Sequence, residues 1–225
     1  MILLRKMLNK MHKDISKEGS LEVRYPYLNS HYDSKKRFCS YWHQVNEVIS
    51  MKPMSVLEIG VGNGFVTRYL REKGISVTTL DVVHELNPNV AGSVLRIPFA
   101  DKTFDVVSCY EVLEHLPYSQ FGDALGEIHR VSQKRVNLSL PDVTTSYRIY
   151  LELPRFDRPI KKLIAHPFPR PSPHEYDGEH YWEIGKIGYS LNRIRLAIEN
   201  RKFRIVKTYR VFEWPYHRFF VLEKS

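Results

Sequence analysis

The sequence predicts an α/β fold: a mostly parallel sheet of seven strands with helices on both faces. Three observations carry that reading. Short apolar runs alternate with helical patterns through the middle of the 225-residue chain, as in a parallel sheet covered on both sides. Residues 56–64, Val-Leu-Glu-Ile-Gly-Val-Gly-Asn-Gly, lead an apolar strand into a glycine turn and then into a helical run, Phe65 to Lys73. The next apolar run, Ser76 to Leu80, ends in an acid, Asp81, as strands beside nucleoside sites do.

Taken in order, Met1 to Lys17 places Leu4, Met7, Leu8, Met11 and Ile15 at helical spacing with a basic opposite face. It reads as a docking helix or a frayed terminus, with peripheral membrane contact as the sharper alternative. It lacks the long apolar core and cleavage site of a signal peptide. Residues 20–34 are rich in tyrosine (Tyr25, Tyr27, Tyr32), and the helix after them carries Phe38, Tyr41, Trp42, Val45 and Ile49 on one face. Strands are expected at 55–59, 76–81, 90–94, 105–110 and 135–140, with Gly74 capping the 65–73 helix. Phe121, Leu125, Ile128 and Val131 mark a helix between the last two strands.

After Pro141-Asp142 the pattern changes. Six of the thirteen prolines fall in residues 143–180, together with Arg155, Arg158, Lys161, Lys162 and Arg170. This reads as an insertion, helical in part over 143–165 and loop over 166–179, where repeated proline blocks a helix. A helix from Ser190 to Arg201 follows, with Ser190 as its N-cap and Leu191, Ile194 and Ile198 on one face. Strands at 203–212 and 217–223, joined through Trp214-Pro215, close the chain. The organisation expected is one domain in four stretches: an N-terminal helical cap (1–52), a nucleoside-binding core (53–142), a capping insertion (143–183), and a last helix with closing hairpin (184–225).

Composition narrows the class. The chain is 43% hydrophobic and has two cysteines, Cys39 and Cys109. That excludes a disulfide framework and makes a reducing cytoplasm the default. No window holds the roughly 18 apolar residues of a membrane span. No Cys/His cluster stands at metal-ligand spacing, so no metal is expected. Charge is uneven: 10 Lys+Arg against 5 Asp+Glu in 1–52, 8 against 11 in 53–145, and 16 against 9 in 146–225. Basic flanks around a slightly acidic core suit solvated surface, an anionic substrate or nucleic acid.

The glycine spacing decides between cofactors. It is Glu-x-Gly-x-Gly-x-Gly, with Glu58, Gly60, Gly62 and Gly64, and not the Gly-x-Gly-x-x-Gly of a pyrophosphate site. Glycines let a ligand lie against bare backbone. A carboxylate at the strand end repels a pyrophosphate and suits an ammonium or sulfonium group. The run resembles the first motif of class I S-adenosylmethionine-dependent methyltransferases. Residues 92–116, Gly-Ser-Val-Leu-Arg-Ile-Pro-Phe-Ala-Asp-Lys-Thr-Phe-Asp-Val-Val-Ser-Cys-Tyr-Glu-Val-Leu-Glu-His-Leu, are similar to the type 11 domain of ubiquinone- and menaquinone-biosynthesis-like enzymes. The likeness covers about residues 54–142.

The resemblance implies a Rossmann-like sheet of order 3-2-1-4-5-7-6 and S-adenosylmethionine as methyl donor, with S-adenosylhomocysteine as product. It implies ribose contacts at Asp81 and Val82, and Tyr32-Asp33 on a lid over the methionine end. The family's adenine-binding Asp falls on Ser93, whose hydroxyl accepts more weakly, so Val94 and Leu95 carry more of the adenine. Glu111 ends the fourth strand near the expected sulfonium. Candidate catalytic groups are His115, a base or a brace for its loop; His180, at a pocket mouth with Tyr181, Trp182 and Glu183, or on an edge strand; and Asp142, facing the acceptor. Glu114 reads as a surface charge, Cys109 as a core filler. The expected function is methyl transfer to a small molecule, anionic, aromatic or lipid-linked. RNA methylation through the basic flanks and a non-catalytic cofactor-binding partner subunit are the alternatives.

Overall fold

In the computed structural model, residues 27, 32–155, 158–166, 171–176 and 178–225 are described, and every structural statement below concerns them. The Met1–Lys17 helix and Tyr25 lie outside the described residues.

The apolar runs pair as expected. Strands β1 (Ser55–Ile59), β2 (Ser76–Asp81), β3 (Val90–Ala91), β4 (Phe104–Tyr110) and β5 (Ser132–Pro141) run parallel in one sheet. Strand β9 (His217–Lys224) inserts antiparallel between β5 and β8 (Phe203–Arg210). The seven-stranded order is β3-β2-β1-β4-β5-β9-β8. Numbering only these seven strands along the chain, this is the expected 3-2-1-4-5-7-6.

Alternation along each strand builds two layers, because neighbouring residues point to opposite faces. Val56, Val77 and Val106 pack with Tyr41, Val45 and Val48 of helix α1 (Lys35–Ser50) and Val66 and Leu70 of α2 (Phe65–Glu72). Leu57, Leu80 and Val107 face the other way, toward Phe121 and Ile128 of α3 (Tyr118–Val131) and Ile194 and Ile198 of α4 (Leu191–Glu199). Ser34 and Ser190 cap α1 and α4, their side chains accepting from Arg37 N and Arg193 N.

Four expectations are corrected. Residues 143–165 are not helical: β6 (Ser146–Leu151) and β7 (Ile160–Ala165) form a separate antiparallel hairpin. Pro154 and Pro159 confine the turn, and the flanking runs alternate as strands do. Lys161 pairs with Glu213 at 2.8 Å and Arg148 donates to the Glu213 carbonyl, fastening the hairpin to the body. The 90–94 strand stops at Ala91, since Ser93 turns the chain and accepts from Arg96 N at its carbonyl. On α1 the buried stripe is Tyr41, Val45 and Val48, while Trp42 is 61% exposed. Finally, His180–Glu183 is no edge strand. Only Ile184 bridges to Asp142, and Trp182 is wholly buried in the core, its Nε1 donating to the Leu116 carbonyl at 3.0 Å.

Candidate active site

The β1 strand end and its loop are shaped by backbone geometry that side chains resist. Gly60, Gly62 and Gly64 have φ of +86°, +53° and +70°. A Cβ on Gly60 would sit 2.4 Å from Val112 Cγ2, so that position requires glycine on steric as well as torsional grounds. Asp81 locks the loop from the neighbouring strand: its Oδ2 accepts from Val61 N at 2.8 Å and its Oδ1 from Val83 N at 2.9 Å. Each oxygen keeps a further lone pair for a ligand hydroxyl. Val82, beside it, is 70% exposed.

Tyr32 and Asp33 lie against the glycine loop. The Tyr32 hydroxyl stands 3.7 Å from where a Gly62 Cβ would be. Arg37 stacks 3.9 Å above the Tyr32 ring and donates to its carbonyl at 2.9 Å. Asp33 accepts from Asn63 Nδ2 at 2.8 Å, which ties the residue after Tyr32 to the loop. A cavity of about 290 Å³ opens beside the loop, lined by Tyr27, Gly62, Gly64, Arg68 and Arg71 among others; neither Asp81 nor Glu111 lines it.

Glu58 does not stand as a free anion at the strand end. It is 4% exposed and its Oε2 accepts from the Thr67 hydroxyl of α2. Burial raises its pKa to about 7, against the smaller lowering by Thr67 and Arg71. A raised carboxyl contributes stability that is complete below the unfolded value near 4.5 and lost as pH climbs to about 7. Glu111 shifts the same way and adds to that slope. Glu58→Gln is expected to remove about 3 kcal/mol of the fall between these limits. Urea midpoints measured against pH would check it; a slope unchanged from the parent would refute the burial argument.

The adenine side is only partly as expected. The Ser93 hydroxyl accepts from Leu95 N at 3.2 Å, and the Val94 side chain packs into the core instead of toward a ligand. Leu95 is partly buried against the same core.

Glu111 adopts a left-handed φ of +52°, which is uncommon outside glycine and asparagine. It is half-buried, yet its Oε1 has no hydrogen-bond partner among the described residues, and burial raises its pKa to about 7. Its Oε2 lies 3.6 Å from His217 Nε2. Burial depresses His217 to about 3, so the imidazole is neutral and the contact is no ion pair at neutral pH. His217 is pinned by Ser40 Oγ at 2.8 Å and by the stacked Trp214 ring at 3.9 Å.

Beyond Glu111, the turn Leu113–His115 meets the insertion. The His115 and His180 rings lie 5.0 Å apart, edge to face. His115 Nδ1 is 2.9 Å from the Glu179 carbonyl oxygen. His180 Nδ1 is 3.1 Å from Glu183 Oε1 and 3.2 Å from the Tyr216 hydroxyl. Glu114 corrects the sequence reading: it is wholly buried, and burial raises its pKa well above the carboxylate range. One ligand atom from each of Glu114, His115 and His180 lies within 4.8 Å of the others. The sequence hid this because His180 joins its partners across more than sixty residues. Asp142 does not present its carboxylate to an acceptor: Arg218 holds it at 2.6 Å, Arg210 lies at 3.7 Å, and Thr144 N donates to it at 2.9 Å. Arg37, Tyr216 and His217 were not among the site residues read from the sequence, and Trp214 entered only as part of the connection between the last two strands. No local motif marks them; only the closing β9 strand and α1 bring them together.

The family model described as "Methyltransferase domain", type 11, matches residues 57–139. A ubiquinone biosynthesis O-methyltransferase of Pseudomonas paraeruginosa is 25% identical over 122 residues, 48% of this chain and 52% of that protein. The chain spans 38% and 52% of the first two curated relatives it matches. Among solved structures, the 1,6-didemethyltoxoflavin-N1-methyltransferase of Burkholderia thailandensis superposes with a TM-score of 0.54 at 16% identity, over 100% of this chain and 88% of that one. The magnesium protoporphyrin IX methyltransferase of Synechocystis PCC 6803 gives 0.54 at 13% identity, over 96% and 90%. At such identities these two are evidence of a shared fold.

Proposed function

We propose that this protein, whose residues 57–139 match the type 11 methyltransferase domain model, moves a methyl group from S-adenosylmethionine to a small-molecule acceptor. The observation that carries the reading is the Asp81 carboxylate, clamped between Val61 N and Val83 N beside a glycine loop whose positive φ angles leave its backbone bare. Bound there, the sulfonium cofactor supplies an electrophilic methyl group and leaves as S-adenosylhomocysteine.

The chain's own residues do the placing. Asp81 accepts the ribose hydroxyls, with Val82 alongside. Gly60, Gly62 and Gly64 let the nucleoside approach the backbone. Ser93 and Leu95 border the adenine, and Tyr32, steadied by Arg37, closes over the methionine end. Glu111, when ionised, favours positive charge beside it. His115 and His180 handle the acceptor. Asp142 is left out, because its carboxylate is already committed to Arg218 and Thr144. The basic flanks favour an anionic acceptor, aromatic or lipid-linked. A relative named for ubiquinone biosynthesis supports a small molecule over RNA. No helix among the described residues is long and apolar enough to cross a membrane, and we place the protein in the cytoplasm.

Calorimetry with S-adenosylhomocysteine tests the reading directly: a saturable heat is expected, and none at millimolar ligand would end it. Asp81→Ala is expected to weaken binding by at least about 1 kcal/mol, roughly fivefold. Radiolabelled methyl transfer to a cell extract, separated into small-molecule, lipid, RNA and protein fractions, would then find the acceptor; label in RNA alone would overturn the substrate class.

A further inference from the structure

We propose that the cavity beside the glycine loop binds a small organic phosphate through Arg68 and Arg71. The cavity holds about 290 Å³, at the small end of the range for small-molecule pockets. Both arginines belong to α2 and line it, and among the described residues no Asp or Glu does. Their hydrogen-bond partners among those residues are neutral. Arg71 donates from Nε and Nη2 to the Val77 carbonyl at 3.2 and 2.7 Å, and from Nη2 to Asn89 Oδ1 at 2.7 Å. Asn89 is itself held by Thr79, whose backbone N and hydroxyl each donate to Oδ1 at 3.0 Å. Arg68 donates from Nη1 to the Asn63 carbonyl at 2.9 Å. It passes close over the loop, since a Cβ on Gly64 would stand 3.1 Å from that nitrogen.

Two guanidinium groups are thus anchored by carbonyl and amide oxygens, and each keeps further N–H donors for a ligand. A guanidinium holds its charge throughout the physiological range. Two of them on one cavity without a lining carboxylate favour an anion there. Glu58 lies beyond Thr67, buried and outside the lining. A phosphate fits better than a carboxylate, because its several oxygens and higher charge can be shared between two planar forks. Tyr27, Val61 and Leu86 complete the wall and suit the carbon body of a phosphomonoester. The site goes beyond the methyl-transfer reading. Asp81 and Glu111 do not line the cavity, so the phosphate is a ligand bound alongside the nucleoside.

Calorimetry of the full chain with inorganic phosphate and with phenyl phosphate tests the site. One saturable equivalent is expected for each, tighter for the ester, whose ring meets Tyr27 and Leu86. Arg68→Met and Arg71→Met should each weaken binding by at least about tenfold. Arg68 is exposed, so its variant keeps the test valid if Arg71→Met, which also releases the Val77 carbonyl, fails to fold. Arg195→Met, the same charge change on α4, should have no effect. Absence of saturable binding, or equal loss in Arg195→Met, overturns the site. So does competition between phosphate and S-adenosylhomocysteine, which would put the anion in the nucleoside's own place. Phosphate uptake without S-adenosylhomocysteine binding would sink the methyltransferase reading alone; nucleoside binding without phosphate uptake would sink this one alone.

Discussion

Trp182→Ala is expected to cost about 3–5 kcal/mol of unfolding free energy, the range for truncating a fully buried large aromatic. The indole is 0% exposed. It packs edge-on against Tyr118 and Phe121, with centroids at 5.2 and 5.0 Å, arrangements that contribute beyond area burial. Two losses combine on truncation. A cavity opens in the α3–α4 layer, and the Leu116 carbonyl loses the donor it has at 3.0 Å. The second loss reaches function, because Leu116 ends the turn carrying Glu114 and His115. For a chain of this length the midpoint should fall by roughly 6–20 °C. Trp182→Phe keeps most of the ring and loses only the N–H, and should cost about 1–2 kcal/mol. Thermal and urea unfolding would measure both; a Trp182→Ala variant within 1 kcal/mol of the parent would mean that the 180–184 segment is not seated as described.

That segment also shows where sequence reasoning ends. The glycine loop was legible because its constraint is local: positive φ at Gly60, Gly62 and Gly64 is written in residue type. Strands β1, β2, β4 and β5 were legible because buried parallel strands are continuous apolar runs. Ser190 was legible because an N-cap needs only itself and the next turn. The errors lie where a residue's role depends on distant chain. His180, Tyr181, Trp182 and Glu183 alternate like a strand, yet Trp182 is drawn inward by Tyr118 and Phe121 on α3. Glu114 follows a leucine in a polar turn and looks solvated, but His180 and the insertion cover it. Trp42 sits about 100° around α1 from Tyr41, so one residue of phase turned an apparent core aromatic outward. The Ser40–His217–Glu111 chain joins α1, β9 and the end of β4, and no spacing along the sequence announces it.

Asp142→Ala is the second large effect, and it separates a structural role for that carboxylate from a catalytic one. Asp142 is 1% exposed at the end of β5. Arg218 on β9 donates from Nε at 2.6 Å, Arg210 on β8 approaches to 3.7 Å, and the side chains of these arginines are 14% and 10% exposed. Removing the acid leaves two poorly solvated guanidinium groups facing each other, and burial already disfavours the charge on Arg210. Breaking a buried pair from one side typically costs about 3–5 kcal/mol, mostly from the stranded charge. Asp142→Asn keeps a single acceptor oxygen, so either Arg218 Nε or Thr144 N loses its partner, and the variant should fall between parent and alanine. If stranded charge is the cause, Arg218→Met in the Asp142→Ala background should restore part of the loss, a non-additivity that a double-mutant cycle resolves. A carboxylate that orients the methyl acceptor would behave in the opposite way. Asp142→Asn would leave unfolding unchanged while methyl transfer collapsed, and Arg218→Met would rescue nothing. The geometry favours the first outcome, because an oxygen already held at 2.6 Å by a guanidinium would have to give up that bond before it could accept one from a substrate.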